Sequence, residues 1–198
     1  MRVLAGLALA AGCGGADAYS YWIQPCAPAL AARSGCESGD PQLAEWALDA
    51  WRAAAGGRIA FVRTGDESKA RIRIYWAAGD QKLYGEARPI RVDGKLGAEV
   101  YVLPGVAHLG PDFEARSRND RLLRDTIVYL TCLHESGHAI GLAHTAAFDD
   151  IMYSFGYGGD IVEYFARYRR KLGSRDDIPK HSGISPADRR RLTATAGE

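Results

Sequence analysis

Apolar residues recur at helical spacing in four stretches of the chain, which predicts four helices. The stretches cover residues 40–56, 119–141, 160–172 and the segment from 185 onward. Proline follows Asp40 and Ser185 directly, and proline is favoured at the first position of a helix. Asp160 is followed three residues later by Glu163, a pattern typical of a helix start.

Between the first two helices the apolar pattern changes to the alternation expected of strands. The candidate strands cover residues 59–62, 71–76, 84–89 and 99–103, with a turn at Asp93-Gly94 between the last two. Pro89 lacks an amide hydrogen, so its strand is expected at the edge of a sheet or to end there. The chain contains no internal repeat and no linker between domains, so we expect one domain containing both helices and strands.

Composition excludes several classes of protein. Of the 198 residues, 47% are hydrophobic and 25% are charged, which is typical of a globular domain. Lys and Arg number 25 against 24 Asp and Glu, so the net charge of +1 provides no field to attract nucleic acid. No apolar run reaches the roughly 18 to 20 residues that span a bilayer. We therefore expect no nucleic-acid partner and no transmembrane segment.

The first residues match an export signal, with Arg2, a short apolar run and then small residues. Two endings remain open. Ala16-Asp17-Ala18 is an A-x-A cleavage signal that would release a chain starting at Tyr19. Alternatively, Ala10-Ala11-Gly12-Cys13 resembles a bacterial lipobox, in which Cys13 becomes a lipidated first residue. In either case we expect a secreted or otherwise extracytoplasmic protein; the alternative is a chain that is not exported and buries its N-terminus.

Three further cysteines follow the export segment. Cys26 and Cys36 flank a short loop, and a disulfide between them suits an oxidising compartment; the alternative is two unpaired thiols. Cys132 lies in an apolar helix, where we expect a small buried core residue.

The most informative stretch spans the eleven residues from His134 to His144 and holds three of the five histidines. Positions i and i+4 share a helix face, so His134 and His138 can present two imidazole nitrogens to one metal ion. Glu135 lies beside that position and can take a proton from a metal-bound water. Gly141 can adopt the left-handed conformation that ends a helix and returns His144 as third ligand. Three neutral ligands leave a fourth position for water, which is typical of a catalytic zinc.

The pattern H-E-x-x-H-x-x-G-x-x-H resembles the signature of the metzincins, a clan of zinc endopeptidases. Those enzymes carry a methionine-containing turn beneath the zinc, and Met152-Tyr153 lies downstream here and resembles the matrixin branch. In the astacin and serralysin branches, a tyrosine two positions after that methionine can bind zinc. Ser154 occupies that position here, which argues against those branches.

The resemblance implies an α+β fold with a twisted, mixed, mainly parallel five-stranded sheet, a zinc-binding active-site helix, a Met-turn and a C-terminal helix. It covers residues 41–198, which we expect to be the catalytic domain, after a signal peptide or lipoprotein signal at 1–18 and an N-terminal segment at 19–40 with the Cys26–Cys36 disulfide. It also implies that the edge strand binds an extended peptide and that Glu135 is the general base for a zinc-activated water. The helix over residues 160–172 is an apparent insertion relative to a minimal matrixin.

The resemblance leaves some functional questions open. We expect one catalytic Zn²⁺, a protein or peptide substrate, and a monomer. Calcium binding is conceivable through loop carboxylates, although their spacing does not form an EF-hand; the candidates are Asp80, Glu86, Asp93 and Glu99. His108 and His181 are isolated, so we expect surface residues there. The alternatives to an endopeptidase are a non-catalytic zinc-binding interaction protein and an amidase acting on cell-wall peptides.

Overall fold

A five-stranded sheet forms the frame of the molecule. The computed structural model describes residues 17–78 and 85–195. The strands are β1 (Asp17–Ile23), β2 (Ile59–Arg63), β3 (Ile72–Trp76), β4 (Gly85–Val92) and β5 (Lys95–Val102), in the order β2-β1-β3-β5-β4. Neighbours are parallel except β4, which runs antiparallel to β5 at the edge. The mixed, mainly parallel sheet implied by the resemblance is confirmed.

Six helices accompany the sheet within the described residues. They are α1 (Pro28–Ser34), α2 (Asp40–Ala54), α3 (Pro111–Asn119), α4 (Arg121–Ala139), α5 (Ile161–Arg169) and α6 (Pro186–Thr195). Helix α4 is buried along nearly its whole length, between the sheet and the helices α2 and α5. A side chain on α4 is therefore held from several directions.

Three elements differ from the sequence predictions. The structure places Asp17–Ile23 in the interior of the sheet as β1, whereas the sequence analysis assigned these residues to the export signal and to an N-terminal segment. The segment between Cys26 and Cys36, expected to be a loop, contains helix α1.

The predicted helix over 119–141 is α4, but α3, which was not predicted, directly precedes it. Helix α3 ends at Asn119, and the Asp120 carboxylate caps α4 by accepting a hydrogen bond from Leu123 N.

The hairpin of β4 and β5 forms the edge of the sheet nearest α4. Its turn is at Asp93-Gly94, as predicted, with φ of +50° and +76°, values that favour a short turn between strands. Pro89 lies inside β4 and the strand continues to Val92, which an edge strand permits because its outer side needs no ladder hydrogen bond. Tyr84, the predicted start of this strand, lies outside the described residues.

The N-terminal half of the chain is tied down by a disulfide and by a buried ion pair. Cys26 and Cys36 are joined in a disulfide, and Cys132 is a buried free thiol in α4. The Arg124 guanidinium on α4 pairs with both carboxylate oxygens of Asp40 at the start of α2, and it also donates to Gly35 O. These contacts fix the first turns of α4 against α2.

No helix among the described residues is long and apolar enough to cross a membrane. Cys13 and the predicted apolar core of the export signal lie outside the described residues.

Truncation of Arg124 to alanine would leave the Asp40 carboxylate, which is only 1% exposed, buried without its cation. We expect Arg124→Ala to lower the free energy of unfolding by about 3–5 kcal/mol, as measured by urea denaturation.

The matched control is Arg63→Ala, which removes the exposed pair between β2 and Glu45 and should cost less than about 1 kcal/mol. Equal losses in the two variants would contradict a structural role for the buried pair.

Candidate active site

Two of the three clustered histidines project from the last turns of α4, and each has one ring nitrogen engaged by the backbone. His134 Nδ1 lies 2.7 Å from Ile151 O, and His138 Nδ1 lies 2.7 Å from Leu142 O. A carbonyl oxygen only accepts, so each Nδ1 carries the proton and donates. Each Nε2 is therefore left with a free lone pair, the form in which imidazole binds metal.

The chain reverses direction at the end of α4 and brings the third histidine, His144, next to the other two. Gly141 has a φ of +95°, as predicted for the residue that ends this helix. Thr145 N donates to Met152 O at 2.8 Å, and Ser154 N donates to Thr145 O at 3.1 Å. This short pairing with the segment after Met152 fixes the position of His144.

The three Nε2 atoms meet at one point. His144 Nε2 lies 3.1 Å from His134 Nε2 and 3.0 Å from His138 Nε2. Because both Nδ1 protons are directed at carbonyls, His134 and His138 each present an Nε2 lone pair to His144 Nε2. His144 Nε2 carries one proton at most, so it can donate to only one of the two. A divalent cation bound by all three nitrogens would satisfy this donor set, so the residues present fit a metal ion of the zinc type.

Burial keeps the imidazoles of His134 and His138 neutral. Desolvation lowers the pKa of His134 to about 3, and it also lowers the pKa of His138. His134 is buried, His138 is half-buried and His144 is exposed, so the cluster opens toward solvent on one side. Neutral nitrogens that face an open side are suited to a metal that must also admit a substrate.

Glu135 lies on the side of α4 that faces β4, and it is 4% exposed. A methyl group at Gly85 would lie 2.5 Å from Glu135 Oε1 and 2.8 Å from Thr131 Cγ2, so only glycine lets β4 pass so close. Burial, together with the nearby Glu86 carboxylate, raises the pKa of Glu135 to about 8. A carboxylate with a raised pKa beside a metal site has the properties of a general base.

A cleft of about 350 Å³ lies between the edge strand β4 and the segment that follows Met152. Its walls come from three parts of the chain, namely the start of β4, the end of α4 with His144, and the turn from Tyr153 to Gly156. The lining residues are Gly85, Glu86, Ala87, His134, Glu135, His138, His144, Tyr153, Ser154, Phe155 and Gly156. All four candidate site residues named from the sequence therefore face the same cleft.

Met152 packs directly beneath the ligand helix. A methyl group at Gly137 would lie 2.5 Å from Met152 Sδ and 3.0 Å from Trp51 Cζ2. Trp51 also donates through Nε1 to Leu133 O at 2.9 Å, a contact inside the core. Met152 is fully buried and contacts no ligand nitrogen, so it acts by packing.

The sequence analysis missed the residues that hold this turn. Ile151 N donates to Asp188 Oδ2 at 2.7 Å, and Tyr164 Oη donates to Ile151 O at 3.2 Å. Asp150 accepts hydrogen bonds from Thr145, Ser185 and Arg191. Part of this network could be predicted from the sequence. Ser185 and Asp188 are three residues apart, the spacing of a capping box, and they form the capping box of α6.

The other candidate ligands from the sequence do not join the cluster. Glu86 pairs with Arg88, and Glu99 pairs with Arg73 and accepts from Tyr101. Asp93 lies in the β4–β5 turn, and Asp80 lies outside the described residues. His181 is exposed at the end of another loop, and the side chain of His108 is outside the described part of the chain. Within the described residues, the three histidines are the metal-ligand group that forms.

One protein-family model matches the part of the chain that contains the site. The family model described as matrixin matches residues 31–162, more than half of the chain. This span contains His134, Glu135, His138, His144 and Met152. A comparison with curated proteins gives no match.

Zinc should stabilise the folded protein through the three imidazoles, and His144→Ala should abolish most of that effect. At a zinc concentration one hundred times the Kd, the expected gain is about 2.7 kcal/mol, measured as a shift in Tm. Loss of an outer-shell partner alone costs 10–100-fold in affinity, so loss of the ligand itself should cost more than about 100-fold.

His144 is exposed, so its truncation should leave the metal-free fold intact. His181→Ala, which removes an exposed histidine far from the cluster, should bind zinc like the wild type. Wild-type zinc affinity in His144→Ala would contradict the ligand set.

Proposed function

Because the chain belongs to the matrixin family of zinc metalloendopeptidases, we propose that it is an exported peptidase with Glu135 as its general base. The observation that carries the proposal is the convergence of three imidazole Nε2 atoms in one cleft, with a buried carboxylate beside them. His134, His138 and His144 would hold the zinc, leaving a coordination position open on the cleft side.

The metal site and the edge strand have separate roles in the proposed reaction. Zinc in the three-histidine site supplies Lewis acidity to a carbonyl and to water. Among the described strands β4 pairs with β5 alone, so an extended peptide can add to its outer edge along the cleft as a further strand. That addition would set the scissile bond between the histidines and Glu135.

Glu135 carries the proton. Its carboxylate accepts a proton from the attacking water and delivers it to the leaving amine, so that no covalent intermediate with the chain is needed. The close passage of β4 at Gly85, together with the burial of Glu135, supports a position of the carboxylate next to a peptide that adds to β4. No calcium site is part of the proposal, because arginines neutralise Glu86 and Glu99.

For export, we propose that processing leaves Asp17 in the mature chain and that Cys13 becomes its lipidated first residue. Arg71 is 7% exposed, and its guanidinium donates to Asp17 Oδ1 at 3.0 Å and to Ala18 O at 2.9 Å. Cleavage after Ala18 would remove both acceptors and shorten β1. Arg71 would keep the Leu96 carbonyl and the Tyr19 ring but would lose its only carboxylate partner among the described residues, which favours an ending upstream of the strand.

Replacement of Glu135 by alanine should abolish peptide hydrolysis while zinc binding is retained. General-base catalysis contributes typically 10²–10⁴-fold, so we expect a fall in kcat/KM of about that size. The measurement pairs hydrolysis of a quenched peptide library with metal content of the same samples.

Glu45→Ala, at the surface of α2 and remote from the cleft, serves as the control and should retain full activity. Full activity in Glu135→Ala would rule out the proposed base. Zinc without hydrolysis in the wild type would favour the non-catalytic binding protein. Cell-wall fragments in the same assay distinguish an amidase from an endopeptidase.

The processing proposal is tested by expression of the whole chain in a bacterium that processes lipoproteins. We expect the mature protein to partition into detergent and to have the mass of an acylated chain that begins at Cys13. Cys13→Ser should abolish that partition. A soluble mature protein with Tyr19 at its N-terminus would contradict the proposal.

A further inference from the structure

A small recess opens from the cleft beneath His134. It shares His134, Tyr153 and Phe155 with the cleft lining, and it is bounded further in by Leu130, Tyr164 and Phe165. Its volume is about 10 Å³, roughly the space of one water molecule. An extended peptide on β4 directs alternate side chains to opposite faces, so one residue beside the scissile bond faces this recess.

We infer that this recess admits a side chain of at most about two non-hydrogen atoms and so restricts the substrate to glycine, alanine or serine at the residue that faces it. The inference rests on the proposed function, because it concerns the substrate of that same cleft.

The recess is closed by side chains that are not free to move. Tyr164 and Phe165 are 4% and 2% exposed, and their ring centroids lie 5.5 Å apart. Tyr164 also contacts the ring of Phe155 at 5.1 Å and that of Tyr153 at 6.1 Å. Interiors packed in this way do not accommodate an added side chain without strain.

Hydrogen bonds hold the walls in place. Tyr164 Oη donates to Asp150 O at 3.0 Å and to Ile151 O at 3.2 Å, and Tyr153 Oη donates to Gly158 O at 2.8 Å. Ile151 O is also the acceptor for His134 Nδ1. A larger substrate side chain that displaced Tyr164 would therefore disturb the support of a metal ligand.

The limit on the size of the substrate side chain is set by the aromatic residue Tyr164, because there is empty space behind its ring. A cavity of about 520 Å³ lies on the far side of Tyr164, and it shares Leu130 and Tyr164 with the recess. The Tyr164 ring, supplied by helix α5, therefore separates this larger cavity from the recess and the cleft.

One polar group faces the interior of this region. Thr131 lines the recess, and its Oγ1 is buried without a hydrogen-bond partner among the described residues. A buried hydroxyl without a partner is unfavourable, and a serine hydroxyl in the recess would provide one. We therefore expect serine to be accepted as well as alanine.

The test measures binding instead of turnover, so that it does not depend on Glu135. The probes are short peptides that carry a hydroxamate, a zinc-binding group, next to a methyl, hydroxymethyl, isobutyl or benzyl side chain. Two series place the varied side chain on either side of the hydroxamate. Calorimetry measures their binding to the zinc-loaded whole protein, to Phe155→Ala and to Tyr157→Ala.

In one of the two series, the methyl and hydroxymethyl probes should bind the wild type at least about tenfold more tightly than the isobutyl and benzyl probes. Phe155 is half-buried at the mouth of the recess, so Phe155→Ala should reduce this ratio about tenfold. Tyr157, on the same turn, is 65% exposed and does not line the recess, so Tyr157→Ala should keep the wild-type ratio.

Equal or tighter binding of the isobutyl and benzyl probes in both series would overturn the inference and leave the proposed function intact. An unchanged ratio in Phe155→Ala would overturn it as well. A zinc-loaded protein that binds none of the probes would overturn both the inference and the open metal position on which the proposed function depends.

Discussion

The backbone of Ile151 is the point at which three helices are joined beneath the metal ligands. Its carbonyl oxygen accepts from His134 on α4 and from Tyr164 on α5, and its amide, in the preceding peptide unit, donates to Asp188 on α6. The Ile151 carbonyl thus sets the tautomer and the orientation of a ligand histidine. If this group moved, the imidazole, the floor of the cleft and the last helix would have to move with it.

The same packing explains why the ligand helix is held in one position and why there is little space around Glu135. Helix α4 is held by the core contact of Gly137 with Met152 and by the Arg124–Asp40 ion pair at its other end. On the opposite side, β4 approaches so closely at Gly85 that Glu135 has little room. We therefore expect a substrate to enter along the outer edge of β4. We expect selectivity to be set by the aromatic residues that close the recess.

The sequence predicted the ligand helix, the reversal at Gly141, the Asp93-Gly94 turn and the start of α6, because each depends on neighbouring residues alone. Strand β1 was missed because the small residues before Tyr19 also match an export signal, and only the pairing with β2 and β3 reveals the strand. Helix α3 was missed because its sequence is mostly polar, with Phe113 as its anchor in the core. The contact of Tyr164 with Ile151 joins residues thirteen apart through the fold, and no local pattern encodes it.

The most direct test of the account is X-ray absorption spectroscopy of the zinc-loaded protein. We predict three imidazole nitrogens at about 2.0–2.1 Å together with one non-protein oxygen, the arrangement of an open catalytic site. In the His144→Ala protein the nitrogen count should fall. A closed site with four protein ligands, or a folded wild type that takes up no zinc, would contradict the central claim that His134, His138 and His144 form a catalytic metal centre.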